Sequence, residues 1–488
     1  LKANEDIVIE KRDEEEWVYL YSFYNAENQI AERITKLDKA RNVKKVSNIE
    51  KELKLVEERT DILLSEKQKE AIRAINDNNV TIITGGPGTG KTTIIKSIIE
   101  IYKQKKYKIV LCAPTGRAAK RMSETTGEEA STLHRLLEIG KVDEESLFKK
   151  NSEYKGAPID GDIIIVDEVS MVDMFIMSYL LDCIYQGTKL ILVGDSDQLP
   201  SVGPGSVLKD LIASEKIVTV HLDKIFRQAA KSKIIVNAHR VNNGKRFINK
   251  EDPELEEDAN QDFFFIREAN QEKILKEVLS LCNGRLKNFG EYDFFENIQV
   301  LTPTKKGLLG TKELNKALQE ALNPHRDGEA EKNSMGATFR IGDRVMQIKN
   351  NYDMYWEKLC DSGVETGNGI FNGETGIITN INEKGKNLSV KFDDEKVCKY
   401  EFNDLEQIEH SYCMTIHKAQ GSEFDVVIMI VPQAAPMLLT RNLLYTGLTR
   451  AKKLLIVIGN DRVVDYMIKN VDSKKRNTGL KFKLKNNM

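Results

Sequence analysis

At 488 residues the chain is too long for a single hydrophobic core and predicts about two to four domains. Apolar residues make up 40% of it, enough for globular cores, yet the longest apolar runs, such as 426–431 before Pro432, are too short to span a bilayer, which argues against membrane insertion. Lys and Arg (73) nearly cancel Asp and Glu (75), so net charge argues neither for nor against nucleic acid, for which a local basic channel suffices.

Residues 1–60 begin with a short alternating segment, carry a helical pattern over 26–37 and end in a charged stretch over 39–59. They read as a mainly helical segment with no legible chemistry. The start, Leu1-Lys2-Ala3-Asn4-Glu5-Asp6, has neither an initiator Met nor the apolar core of a secretory signal, and so reads as a fragment or a processed chain. From residue 63 onward short apolar runs alternate with helical patterns, as βαβ architecture requires: 80–84, 109–113, 163–166 and 189–193. They predict a parallel-sheet domain over 61–216, with a polar, poorly periodic insertion at about 140–158.

A second series, 217–222, 297–301, 426–431 and 454–458, predicts a second α/β unit without its own glycine loop, built from 217–335 and 409–470. Between these parts, 336–408 changes to short β-like runs (343–349, 374–382, 388–392, 397–402) separated by glycine and charged turns, which predicts a compact all-β barrel. The acidic run 251–258 reads as a surface loop. The tail, 471–488, carries Lys474, Lys475, Arg476, Lys481, Lys483 and Lys485 among few acids and reads as a solvated, partly disordered end. Six scattered cysteines (Cys112, Cys183, Cys282, Cys360, Cys398, Cys413), with no C-x-x-C and no nearby histidine pair, read as reduced thiols in a cytoplasmic protein and argue against structural zinc.

Chemistry concentrates at the ends of the predicted strands. Gly85-Gly86-Pro87-Gly88-Thr89-Gly90-Lys91-Thr92-Thr93 lies between the run 80–84 and the helix-like 94–102, the strand–loop–helix context of a phosphate-binding loop. Gly86, Gly88 and Gly90 let successive N–H groups around Thr89 and Thr93 face phosphate oxygens, and the helix N-terminus adds its positive dipole end. Lys91 reaches the β- and γ-phosphates, and the Thr92 hydroxyl coordinates Mg²⁺. After the run 163–166 come Asp167, placed to hold Mg²⁺, and Glu168, placed to polarise an attacking water as general base. A polar strand terminus is the plain alternative. Following 189–193, Gly194-Asp195-Ser196-Asp197-Gln198 puts Gln198 where it can sense a γ-phosphate; an Asp- and Gly-rich turn is its plain alternative.

With these motifs stand Ala113-Pro114-Thr115-Gly116-Arg117, Ser131-Thr132-Leu133-His134-Arg135, Phe226-Arg227-Gln228, Thr415-Ile416-His417-Lys418-Ala419-Gln420-Gly421-Ser422-Glu423 and Tyr445-Thr446-Gly447-Leu448-Thr449-Arg450. In this order, over about 64–459, the series resembles superfamily 1 helicases, and within them the RecD-like branch typified by the exodeoxyribonuclease V alpha subunit. The resemblance implies two RecA-like P-loop domains, the all-β region as a small barrel on the second, and about 140–158 as a strand-separating pin. It gives Gln68 the reading of adenine, Arg227 and Arg450 the γ-phosphate, and Glu423 a nucleotide-sugar contact, with a helix cap as the alternative for Glu423 and an exposed helix-terminal glutamine for Gln68. Nucleic-acid contacts are implied for Pro114, Thr115, Gly116, Arg117, Thr132, His134, Thr415, His417, Lys418 and Gln420, residue types that hold phosphates without reading sequence.

The leading expectation is therefore an ATP- and Mg²⁺-dependent DNA helicase moving on single-stranded DNA toward duplex forks in repair or recombination. Its 5′ to 3′ polarity rests on the resemblance alone. The competing expectations are an ATP-switched DNA-binding subunit of a larger nuclease–helicase complex, and an RNA helicase of the same superfamily. No metal-dependent nuclease cluster is legible, so any nuclease activity is expected to belong to partners.

Overall fold

Strand β3 (Val80–Gly85) is apolar at every position from Val80 to Ile83 save Thr81, and it is buried on both faces, as a central strand of a parallel sheet should be. The computed structural model describes residues 7–12, 15–41, 44–139, 157–224, 231–248, 260–360, 363–471 and 476–486. They form two compact units, Leu1–Phe226 with Lys475–Met488, and Arg227–Lys474. Among the described residues no helix is long and apolar enough to cross a membrane, and all six cysteines are free.

In the first unit, β3 pairs in parallel with Lys189–Gly194 on one side and Val218–Leu222 on the other, within a six-stranded sheet that continues through Ile163–Val166 and Ile109–Ala113 to Ala130–Thr132. Alternation divides each strand between two cores. Val80, Ile82, Ile164, Val166, Leu190 and Leu192 pack on one face, and Ile83, Ile163, Ile165, Ile191 and Val193 on the other. Helix α1 (Tyr21–Asp38) covers the first face with Ala26, Ile30 and Ile34, preceded by an antiparallel hairpin of β1 (Ile7–Arg12) and β2 (Glu15–Leu20). Each fully buried isoleucine contributes about 1.5–3 kcal/mol, so the N-terminal helix is an integral layer of this unit.

Two expectations fail here. The run 217–222, assigned from sequence to the second unit, forms the edge strand Val218–Leu222 of the first sheet. An apolar run does not encode which parallel neighbour it joins. The tail also differs from a solvated end. Its helix Leu480–Asn486 buries Leu480 and Leu484 in the α1-side core, Lys483 lies over the Tyr24 ring at 3.6 Å, and the Gly479 N–H donates to Glu27 Oε1 at 2.8 Å. Counting lysines conceals the i,i+4 apolar pair that docks it.

The second unit has a five-stranded parallel sheet ordered Cys413–Thr415, Ile298–Thr302, Phe424–Val431, Ala451–Gly459, Phe263–Arg267. Its β-rich insertion is a seven-stranded antiparallel sheet spanning Arg344–Gln347 to Ile408–His410, preceded by a small hairpin of Glu331–Ser334 and Ala337–Arg340. The long hairpin Asn351–Cys360 with Gly363–Ile370 is an element that the sequence pattern did not single out. Buried Asp343 ties this insertion to the parallel unit. Its carboxylate accepts from Gln319 Nε2 (2.7 Å), Asn323 Nδ2 (2.8 Å) and the Tyr412 hydroxyl (2.8 Å), and faces His410 Nε2 at 3.0 Å.

The docked tail generates a pH-dependent test. Burial, followed by the nearby Glu27 charge, outweighs the Thr478 hydroxyl bond and pushes the Asp210 carboxyl up to about 6. The folded chain thus keeps a proton that an unfolded chain with an ordinary carboxyl has lost, so the contribution of this group to stability is largest below about pH 4 and falls as pH rises through 6. Asp210→Asn is expected to raise the thermal unfolding midpoint at pH 7.5, and the gain should shrink toward pH 4.5. A gain independent of pH would show that ionisation is not the cause.

Candidate nucleotide site and nucleic-acid interface

The phosphate-loop glycines do different work. A Cβ on Gly85 would stand 2.8 Å from the Leu222 carbonyl oxygen and 2.8 Å from Thr89 Oγ1, so only glycine lets β3 end against its edge neighbour. Gly88 and Gly90 have φ of 72° and 84°, the left-handed region that turns the loop back on itself. Gly90 is the N-cap of the helix Lys91–Gln104 and supplies no side-chain acceptor to its first turn, leaving the dipole end to a ligand anion. The Lys91 ammonium donates to the carbonyl oxygens of Gly85 (2.6 Å) and Gly86 (3.0 Å), which holds it within the loop. Gln68 is 1% exposed rather than an exposed helix end. It forms a reciprocal capping box with Ser65, and its Nε2 donates to the Gly90 carbonyl at 3.4 Å, tying the loop to the helix Glu66–Asp77.

Asp167 and Glu168 follow the strand Ile163–Val166, at the same sheet edge as the loop. The Asp167 N–H donates to the Cys112 carbonyl (3.0 Å), and the Glu168 N–H to Asp167 Oδ1 (2.8 Å). Glu168 has φ of 54°, an uncommon conformation for this residue type that the surrounding packing must hold. Burial and the adjacent Glu168 charge hold the Asp167 carboxyl above the usual range, while Arg121 and Lys91 pull it down. Arg121 Nη1 stands 3.7 Å from Glu168 Oε1. Sequence reasoning missed Arg121, whose only signal is its place one helical turn after Arg117.

Gln198 is buried in a turn organised by Asp195, whose carboxylate accepts from the Asp197 N–H (3.0 Å) and from Gln198 Nε2 (3.3 Å). The Ser196 N–H donates to Thr84 Oγ1 at 3.3 Å, which ties this turn to the residue preceding the phosphate loop. The turn chemistry and the position beside the loop therefore coexist.

The proposed nucleic-acid contacts of the first unit occupy the other end of that edge. Ala113 pairs with Thr132, which brings Pro114-Thr115-Gly116-Arg117 beside Thr132-Leu133-His134. The Thr115 and Thr132 hydroxyls accept from the N–H groups of Ala118 and Arg135, both at 3.2 Å, and so cap the two short helices that follow. In the second unit, Thr415 ends a strand and its hydroxyl accepts from the Lys418 N–H (3.3 Å). His417 is exposed, Gln420 buried, and the Lys418 ammonium pairs with Glu409. Arg450 is 2% exposed and bound within its own unit, donating to the Thr446 carbonyl, the Ser422 carbonyl and Thr449 Oγ1, each at 3.0 Å. Glu423, half-buried, immediately precedes the strand Phe424–Val431. Arg227 and residues 140–156 of the expected pin lie outside the described residues.

Three family models match the chain: an AAA domain over 68–204, an ATP-dependent RecD-like DNA helicase SH3 domain over 314–392, and a UvrD-like helicase C-terminal domain over 410–458. The ATP-dependent RecD2 DNA helicase of Deinococcus radiodurans is 35% identical over 395 residues, covering 80% of this chain and 48% of that protein. Over four-fifths of its length the chain is therefore similar to a RecD2 helicase, in line with the RecD-like resemblance of its motifs. The RecBCD enzyme subunit RecD of Buchnera aphidicola subsp. Acyrthosiphon pisum is 29% identical over 516 residues, covering 91% of this chain and 80% of that one. The chain thus spans about half the length of the RecD2 relative and four-fifths of the RecD subunit. Among solved structures, a Pif1 helicase from a study of unwinding at forked duplex DNA aligns with a TM-score of 0.46 and 19% identity, over 81% of this chain and 92% of that one. The SH3-domain match corresponds to the β-rich insertion, displaced toward its N-terminal side.

The loop geometry separates two glycine substitutions. Gly85→Ala forces backbone and Thr89 to give way and is expected to cost about 1–3 kcal/mol and to weaken nucleotide binding. Gly127→Ala, at φ of 73° with open space around it, should cost about 1–2 kcal/mol and leave nucleotide affinity unchanged. Thermal unfolding and titration with a fluorescent ATP analogue measure both; equal effects on affinity would contradict the assigned role of Gly85.

Proposed function

We propose that the chain is an ATP-driven DNA helicase that moves along single-stranded DNA, 5′ to 3′, and parts duplexes at forks in DNA repair or recombination. The observation that supports this most directly is the convergence of Lys91, the Asp167–Glu168 pair and the Gln198 turn at one edge of one parallel sheet. An edge that held only the glycine loop would suit nucleotide binding. The neighbouring carboxylate pair adds what hydrolysis needs.

In this reading Lys91 exchanges its bonds to Gly85 and Gly86 for phosphate oxygens, and Gln68 exchanges its bond to Gly90 for the adenine edge. Hard oxygen donors fit Mg²⁺, and the raised Asp167 carboxyl marks a buried pair of like charges that a cation would relieve. Thr92 and Asp167 would hold it, and it would offset phosphate charge. Glu168 accepts the proton of the attacking water. Gln198 senses the γ-phosphate, Arg227 and Arg450, the latter exchanging its bonds to Thr446, Ser422 and Thr449, supply planar cations for the charge that spreads in the transition state, and Glu423 meets the sugar. Phosphates of single-stranded DNA lie on Pro114, Thr115, Gly116, Arg117, Thr132 and His134, and on Thr415, His417, Lys418 and Gln420, contacts that carry no sequence information. The residues 140–158 act as the pin. Coverage of four-fifths of a RecBCD subunit supports a second reading, in which the chain works with protein partners in a nuclease–helicase complex.

Hydrolysis measured with and without single-stranded DNA or RNA tests the proposal. DNA should stimulate turnover; Lys91→Ala should abolish it, and Glu168→Gln should lower it by about 10²-fold or more while retaining nucleotide affinity. A Glu168→Gln protein with normal turnover would remove the assigned base, and stimulation by RNA alone would replace the DNA reading.

A further inference from the structure

Main-chain carbonyls that converge on one point repel one another unless a donor stands between them. The loop after Gln198, Leu199 to Ser206, contains such a convergence. Arg476 Nη1 donates to the carbonyl oxygens of Gly203 and Gly205, each at 2.6 Å, and to Ser201 Oγ at 3.3 Å, while Nη2 donates to the Ser201 carbonyl at 2.5 Å. One planar fork therefore satisfies three carbonyls of a five-residue stretch, a pattern suited to guanidinium and not to a point charge.

The clamp holds one side of the loop. Its other side is pressed against the N-terminus of the helix Met174–Asp182: a Cβ on Gly203 would collide with the Asp173 carboxylate, Gly205 has φ of 88°, and the Met174 N–H donates to the Pro204 carbonyl at 3.0 Å. Ser170, Gln198, Pro200 and Ser201 line one small cavity, so a shift of the loop reaches both Gln198 and the turn that follows Glu168. Arg476 is itself held in place by the docked tail. Thr478 Oγ1 bonds to Glu27 Oε1 (3.0 Å) and Asp210 Oδ2 (2.8 Å), and the helix Leu480–Asn486 is anchored in the core.

We propose that Arg476 is a positioning residue of the ATP site, and that the C-terminal segment is a working part of the motor which holds the Gln198 loop at the height hydrolysis requires. This rests on the ATPase reading above. The test uses the full chain with Arg476→Ala, Arg476→Lys, Gln198→Ala and the Arg476→Ala/Gln198→Ala pair. Arg476→Ala should lower kcat about tenfold or more, a change equivalent to one lost polar interaction in the transition state, with KM for ATP within about twofold. Arg476→Lys should recover only part. In the Gln198→Ala background, Arg476→Ala should have little further effect, because the two act through one loop. A merely structural role would lower both backgrounds equally, and that additivity, or a normal kcat in Arg476→Ala, overturns the proposal. Hydrogen exchange of residues 199–206 provides a readout independent of turnover. It should accelerate in Arg476→Ala; unchanged exchange also overturns the proposal, whereas absent turnover in the unmodified chain with accelerated exchange would refute the ATPase reading alone.

Discussion

Parallel pairing of β3 with its neighbours is the constraint on which the site depends. Thr84 stands opposite Gly194, and Val166 opposite Leu192, so three strands end at nearly the same height. Whatever follows them is gathered at one edge: the glycine loop with Lys91, the Asp167–Glu168 pair and the Gln198 turn. The two further strands, Ile109–Ala113 and Ala130–Thr132, deliver the first unit's proposed nucleic-acid contacts to the same edge. Short loops of irregular backbone can then carry the chemistry because the sheet beneath them is rigid and buried on both faces.

That edge also concentrates unfavourable terms. Two carboxylates are adjacent and buried, one of them on a residue with positive φ, and the compensating cations come from different elements: Lys91 from the phosphate loop, Arg121 from the helix Gly116–Thr126. The same helix begins at Thr115, Gly116 and Arg117. In the proposed reading, a displacement of its N-terminus by a bound strand would carry Arg121 with it, a physical route from the proposed nucleic-acid contacts to the proposed base.

Much of this was legible in residue order. Glycine loops, strand-end acids and short apolar runs are local signals, and the P-loop, the Asp167–Glu168 pair and the β-rich insertion need nothing distant to be read. What escaped was non-local. The run 217–222 was assigned to the wrong sheet because its partner, β3, lies more than a hundred residues away. Arg476 looked like one of several tail cations, and only folding shows the carbonyls it meets. Gln68 was expected to read a base, and its capping bond to Ser65 and its reach to Gly90 depend on how a helix and a loop are packed together. The β-sheet insertion is legible, yet its longest hairpin is not, since among its described residues only Met354, Trp356 and Ile370 reach the core while Gly363–Thr366 is exposed.

The central claim is that ATP hydrolysis at this edge drives directional movement on DNA. Unwinding of short duplexes carrying either a 5′ or a 3′ single-stranded tail, with ATP and with a non-hydrolysable analogue, tests it most directly. The account predicts strand separation only with ATP and only from the 5′-tailed duplex. Equal separation of both substrates, or separation without hydrolysis, would contradict it.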